Sequence, residues 1–465
     1  MYLRILNSTG RRQILRYAVF ILFGFSFLIS GSRSGNALAS SDLLPLAGVD
    51  VLTVPHYRPQ DTGHFEADVA VAWFDLAYDL VQAESFSPPL AARIYGYTGV
   101  TLYEAVVAGM PDYQSLARQL NGLSKLPRAN GKAYHWPTVA NSSLATVMKG
   151  LFAGRSPATL DEIAGLEAQF ADQFEADLPP GIFKRSVNYG RAVGAAILTW
   201  SNSDRYQTWH NCAYTPPVGP GLWAPTLPAF APALEPCWGQ VRPFVLSAGN
   251  ACNPGPHTAY SEDTTSPFFL EAEEVYDAVN NLTAEQEAIA LFWADNPGQT
   301  GTPPGHSIAI VSQILIQERH SLDVAAEAYA SVGIAVADAF ISCWSAKYEY
   351  NLLRPVTYIR NLIDSEWTPL IPTPPFPEYT SGHSAQSAAA AYVLTALFGD
   401  IPFTDHTHDN LGFTPRSFNT FSEFAAEAAI SRLYAGIHFR SAIELGLAQG
   451  QCVGQAVRAL QFRKP

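Results

Sequence analysis

Apolar residues along this chain recur at three- and four-residue intervals far more often than they alternate, and that periodicity predicts helices. The predicted segments are 68–84, 91–108, 156–178 and 183–201, then 284–295, 307–318, 321–350, 384–398, 422–434 and 441–462. Strand-like alternation is scarce. Two stretches read as irregular, 124–134 and 203–269, and the second carries the run YTPPVGPGLWAPTLPAFAPALEP. An ordered loop of that length usually covers or lines a pocket. The expected class is all-α, a large helical assembly of one or two bundles with long Pro-rich loops. On this reading 40–284 is helical scaffold and 285–465 carries the chemistry. No internal repeat at a fixed period is visible.

Composition narrows the picture. The chain has 465 residues, 48% hydrophobic and 15% charged, which is ample apolar material for a large core. A net charge of −13 argues against nucleic acid or an anionic membrane as the main partner. Arg11, Arg12 and Arg16 precede the apolar run Tyr17 to Ser30, and Ala37-Leu38-Ala39 follows as a cleavage site. Residues 1–39 therefore read as a signal peptide cut after Ala39, with export to the periplasm or beyond. That run is shorter than the ~20 residues of a spanning helix, so no membrane span is expected in the mature protein. Five cysteines fit one or two disulfides in an exported protein, with one thiol left over. Cys212, Cys237 and Cys252 share the irregular stretch, while Cys343 and Cys452 fall in helical patterns and read as buried thiols. The absence of a CxxC pair leaves zinc and iron–sulfur readings without support.

Three segments hold polar residues that helix packing does not need. Lys347 and Arg354 stand seven apart, which puts both on one face of a helix that Pro355 ends. Two like charges on one face cost stability unless an anion lies between them. In PEYTSGHS, Thr380 or Ser381 can cap a helix, and the free N–H groups of Gly382 and His383 then make an anion site. In SRLYAGIHFRS, Arg432 ends a helix, Gly436 breaks the chain and His438 precedes the next helix, with Ser441 as its expected cap. A solvated basic face, a capped helix and a core histidine explain each segment taken singly. Together they make a site for a tetrahedral or trigonal-bipyramidal oxyanion. The cluster Asp405-His406-Thr407-His408-Asp409 has metal-like spacing but reads as ordinary loop polarity.

K-x6-R-P, P-x-x-x-S-G-H and S-R-x5-H, in this order, resemble the signature shared by vanadium-dependent haloperoxidases and type-2 phosphatidic acid phosphatases. The likeness is clearest over 285–455. It implies a haloperoxidase-like helical fold in which Lys347, Arg354, Ser381, Gly382 and Arg432 hold vanadate or phosphate. It implies His438 as the vanadium ligand or phosphatase nucleophile, and His383 as acid–base. PPFPEYTSGH resembles the peroxidase loop, with Phe376 as the aromatic ahead of the histidine. Phe292-Trp293-Ala294-Asp295 is similar to a segment whose aspartate orients an active-site arginine, and His306 in TPPGHS is expected near the pocket. Thr380 replaces the usual proline. Ala442 stands where many relatives carry the aspartate that supports the second histidine, which favours peroxidase over phosphatase. The implied activity is oxidation of halide by hydrogen peroxide to hypohalous acid, which halogenates small organic substrates, with Lys347 polarising the peroxide. The alternatives are a soluble acid phosphatase working through phosphohistidine and a silent binding module. Three unneutralised pocket cations are costly to keep without an anion, which weighs against the last.

Overall fold

In a computed structural model that describes residues 58–210 and 212–465, the periodic segments become α-helices. They are α1 (Asp68–Ala83), α2 (Pro88–Val106), α3 (Trp136–Leu151), α4 (Pro157–Asp177), α5 (Pro180–Ser201), α6 (Tyr206–Trp209), α7 (Pro267–Asn280), α8 (Ala284–Phe292), α9 (Thr302–Gln317), α10 (Leu322–Tyr350), α11 (Pro355–Leu362), α12 (Gly382–Phe398), α13 (Phe421–Tyr434) and α14 (Arg440–Arg458). One short antiparallel hairpin, β1 (Phe403–Asp405) with β2 (Arg416–Phe418), lies between α12 and α13. The expected leader falls outside the described residues.

Local chemistry sets the helix starts. Proline at the first turn opens α2, α3, α4, α5, α7, α9 and α11, where its missing N–H costs nothing. Thr283 and Gln286 close a reciprocal capping box on α8. The periodicity passed over α3 because Asn141, Ser142 and Ser143 interrupt its apolar stripe; all three are buried here. Asn141 accepts the Trp73 indole N–H at 2.9 Å, and Ser142 and Ser143 bond to carbonyls of their own helix, so burial leaves none of them unpaired.

The axis of the fold is α10, which lies between α2 and α12. It is long and apolar enough to cross a membrane, but it is almost wholly buried in protein. A Cβ on Gly99 would lie 2.4 Å from the Tyr329 carbonyl oxygen, so only glycine lets α2 approach α10 this closely. The same holds where α14 meets α12: a Cβ on Gly450 would lie 2.2 Å from the Ala385 carbonyl oxygen. The irregular stretch is ordered from within. Buried Asp338 of α10 accepts the N–H groups of Phe244, Val245 and Leu246, at 2.6, 2.8 and 3.0 Å. Disulfides Cys212–Cys237 and Cys252–Cys452 staple it further, which corrects the expectation of a thiol at Cys452; Cys343 is the free, buried one.

Candidate active site

One buried cluster gathers the three segments. Lys347 lies in the last turn of α10, but Arg354 does not share its helix. The chain leaves α10 at Asn351, whose φ is +50°, and Arg354 is the N-cap of α11. Pro355 opens a helix rather than ending one, because its missing N–H would have no helical acceptor in the first turn. The two cations meet through the fold: Phe376 lies 4.9 Å from Lys347 Nζ and 4.8 Å from the Arg354 guanidinium carbon.

His438 sits in the turn between α13 and α14, where Gly436 takes φ +77°. The cap of α14 is Phe439 rather than Ser441, whose hydroxyl donates to Glu271 instead. His438 Nδ1 is 2.8 Å from Glu378 Oε1, which also accepts the Phe439 N–H at 2.9 Å. Arg354 Nη1 approaches His438 Nε2 at 3.3 Å. A carboxylate at Nδ1 and a guanidinium donor at Nε2 fix the tautomer: Nδ1–H donates to Glu378 and Nε2 keeps its lone pair. Burial, reinforced by Arg354 and Lys347, holds the imidazole pKa well below its ordinary value, so the ring is neutral. Glu378 supplies the carboxylate that Ala442 lacks, which removes the argument drawn from Ala442. Burial raises Glu378, and Arg354, Lys347 and the Phe439 N–H oppose the rise; Oε1, already accepting the Phe439 N–H, is the acceptor that Nδ1–H meets whether or not Oε2 carries a proton.

Ser381 caps α12, its hydroxyl oxygen accepting Ser384 N–H at 3.3 Å. That leaves the first-turn N–H groups, Gly382 and His383 among them, without helical acceptors. His383 donates to the Trp293 carbonyl, while its Nε2 is buried and unpartnered. Burial and Arg432 hold His383 well below its ordinary pKa. Arg432 donates Nε–H to Ser431 Oγ at 2.9 Å and Nη2–H to the Ala290 carbonyl at 3.1 Å. Arg354 donates to the Phe376 and Ile437 carbonyls at 2.9 and 2.8 Å, and its Nη2 is buried without a partner. Burial lowers both guanidiniums only to about 10, so each keeps its charge.

A cavity of about 270 Å³ opens onto Gly382, His383, Arg432 and His438. Phe340, Trp344, Phe376, Leu234 and the prolines 372, 374 and 375 form its apolar wall. Lys347 stands behind it. Its ammonium donates to the carbonyls of Pro377, Glu378 and Thr380 at 3.0, 2.9 and 2.5 Å. Three acceptors require three N–H groups, so the loop selects the charged form although burial pushes the pKa down to about 7. Lys347 therefore holds the PEYT backbone and does not point its charge at the cavity, contrary to the expectation that it polarises a bound oxidant.

Asp295 lines the cavity, but its carboxylate bonds histidines rather than an arginine. His306 Nδ1 lies 3.0 Å from Oδ2 and His408 Nε2 lies 3.0 Å from Oδ1. Arg432 feels Asp295 only as a nearby charge. His306 is not in the cavity wall: it is buried behind Asp295, with Nε2 2.6 Å from Asp405. The loop cluster is thus divided. Asp405 and His408 turn inward, while His406 and Asp409 pair with each other at the surface. The Asp295, His306 and His408 donor atoms lie within 4.8 Å of one another, as a cation would need, although protons already account for each contact.

The profile of the second helical-bundle domain of vanadium chloroperoxidase matches residues 327–463, which contain every residue from Lys347 to His438. Vanadium chloroperoxidase from Curvularia inaequalis is 27% identical over 33% of this chain, and the match spans about a third (36%) of that protein's length. The crystal structure of a bacterial vanadium-dependent iodoperoxidase is 38% identical, with a TM-score of 0.81 over 86% of this chain and 98% of that one. This chain belongs to the vanadium-dependent haloperoxidase family. A bacterial vanadium-dependent chloroperoxidase, 16% identical with a TM-score of 0.62, shares the fold over 82% of this haloperoxidase-family chain and 95% of its own. Sequence reading of this family member missed Glu378. It lies within the quoted loop, but 60 residues separate it from His438 and no local spacing joins them.

Proposed function

We propose that this chain is a vanadate-dependent haloperoxidase that oxidises halide with hydrogen peroxide to hypohalous acid. The observation that carries the proposal is His438: neutral, braced by Glu378 at Nδ1, with its Nε2 lone pair at a cavity walled by cations and helix N–H groups. The residues fit the oxyanion. Arg354 Nη2 and His383 Nε2 are buried polar atoms without partners. A Cβ on Gly382 would reach Trp344 and Phe340 at 3.6 and 3.7 Å and take up cavity space. His438 Nε2 would ligate vanadium, while Arg354, Arg432 and the Gly382 N–H would hold the oxygens. Bound vanadate supplies activation of peroxide towards halide, and inorganic phosphate fits the same donors.

The chain's own contribution is electrostatic and positional. Glu378 orients His438 and keeps its lone pair on Nε2. His383, neutral and with Nε2 free, can accept a proton from hydrogen peroxide and return one to the departing oxygen. The apolar wall leaves room in the cavity for halide beside a small organic molecule. Iodide is the halide favoured here. The 38% identical relative is named for it, and Lys347 is committed to carbonyls, which leaves fewer direct donors and suits the most easily oxidised halide. Export is proposed with it. Two disulfides suit an oxidising compartment, and the arginine-led apolar run and Ala37-Leu38-Ala39 suit a cleaved leader.

The Glu378–His438 pair also suits a phosphohistidine phosphatase, which needs a carboxylate behind its nucleophile. Purified protein assayed with p-nitrophenyl phosphate and with iodide plus peroxide, each with and without orthovanadate, separates the two. A peroxidase is switched on by vanadate; a phosphatase is inhibited by it. Phosphatase activity lost on vanadate addition, with no halide oxidation gained, would overturn the proposal.

A further inference from the structure

We propose that Gln449 of α14 is a positioning residue for the oxyanion site: through Thr380 it fixes where the Gly382 N–H and His383 stand relative to His438. The inference rests on the haloperoxidase reading. The buried face of α14 is built of small and apolar residues, and Gln449, 1% exposed, is the one polar side chain on it. Burying a carboxamide costs free energy unless its polar atoms are bonded. Both are. Thr380 Oγ1–H donates to Gln449 Oε1 at 2.5 Å, and Gln449 Nε2–H donates to Ser342 Oγ of α10 at 2.9 Å. Thr380 and Ser342 are buried as well.

The helix that carries Gln449 is the one His438 leads into, two residues ahead of its first turn. It grips the PEYTSGH loop at two points seven residues apart, which lie on one face. At the first, the Ala442 carbonyl accepts the Ser381 N–H at 3.0 Å; at the second, Gln449 holds the Thr380 hydroxyl. Between them Gly446 lets α14 close in, since a Cβ there would lie 3.0 Å from the Ser381 carbonyl oxygen. The Thr380 carbonyl accepts Lys347 of α10 at 2.5 Å. Thr380 is thus held at its hydroxyl by α14 and at its carbonyl by α10, and Ser381, Gly382 and His383 follow directly. The proline usual at this position fixes its own φ. Thr380 does not, and the bond to Gln449 supplies the missing constraint.

Without Gln449 a buried hydroxyl loses its acceptor, and the loop relieves that only by turning Thr380. The Gly382 N–H and His383 then shift, while His438 keeps its bond to Glu378. A misplacement of about 1 Å costs about 100-fold in rate when it separates reacting groups. The cavity wall of Phe376, Trp344 and the prolines is not touched by Gln449. Vanadate affinity and kcat should therefore depend on Gln449, and KM for halide should not.

The test is equilibrium dialysis of vanadate against purified wild type, Gln449→Leu, Thr380→Val and the double variant, a readout that needs no turnover. Each single variant should bind vanadate about 10- to 100-fold more weakly. The double variant should bind no more weakly than the weaker single one, because the two residues act through one bond. Gln449→Glu keeps an acceptor for the Thr380 hydroxyl and should restore binding. In turnover, kcat at saturating vanadate should fall in the single variants with KM for halide unchanged. Unchanged vanadate binding in both single variants, even with a lowered melting temperature, would mark a purely structural residue and overturn the proposal. Single effects that multiply in the double variant, or Gln449→Glu binding as weakly as Gln449→Leu, would overturn it too. If Gln449→Leu does not fold, Thr380→Val decides by the same criterion. Wild-type protein that binds vanadate but oxidises no halide sinks the haloperoxidase reading instead, and the dialysis result still decides the role of Gln449.

Discussion

At His438 each ring nitrogen has a separate task, and Glu378 separates them. Replacing Glu378 with Gln keeps the shape but leaves either an amide N–H or a weaker acceptor at Nδ1. Vanadate affinity should fall about 10- to 100-fold, as for other outer-shell partners of a ligating histidine; titration of halide oxidation against vanadate measures it. An unchanged midpoint would mean that Glu378 does not orient the ring. His438→Ala should abolish the activity altogether. The motif residues themselves were legible because their types and order survive any fold. Glu378 and the inward pair Asp405 and His408 were not, since their partners are distant in sequence: Asp405 meets His306 across 99 positions. Lys347 was legible as a cation but not in its role, because its acceptors are loop carbonyls, which no spacing announces.

Helix identity, by contrast, was readable wherever an apolar stripe was continuous. α1, α10 and α12 fall within a residue or two of their expected bounds. α3 hid behind buried serines, and α11 behind the assumption that Pro355 stops a helix rather than starting one. What the pattern could not show was how close the helices come. Gly99→Ala would drive a methyl into the Tyr329 carbonyl. Overpacking of that kind costs about 1–3 kcal/mol, so the melting temperature should fall while the active site keeps its residues. Gly450→Ala should do the same between α14 and α12. No change in thermal unfolding for either variant would show that these contacts relax freely.

Across the whole molecule, the buried Asp295–His306–Asp405 group ties the α8–α9 connection and α9 to the hairpin, and it makes stability depend on pH. His306 is raised in the folded state to about 10 from an ordinary 6.5. Its contribution is therefore complete below about 6.5 and is lost as pH rises towards 10. Asp295 and Asp405 are held below their ordinary 3.8, so their contribution is present above that pH and is lost in stronger acid. Thermal unfolding of wild type and His306→Gln should differ most between about pH 4 and 6.5 and converge near pH 10; a constant difference would refute the ion network. Cys252–Cys452 closes a 200-residue separation. Reduction should lower stability by about 2–5 kcal/mol on loop-entropy grounds, read as a drop in denaturation midpoint. The most direct test of the central claim is halide oxidation by metal-free protein before and after addition of orthovanadate. The account predicts peroxide-dependent iodide oxidation only after vanadate is added, and none in His438→Ala. Activity without vanadate, or undiminished activity in His438→Ala, would contradict it.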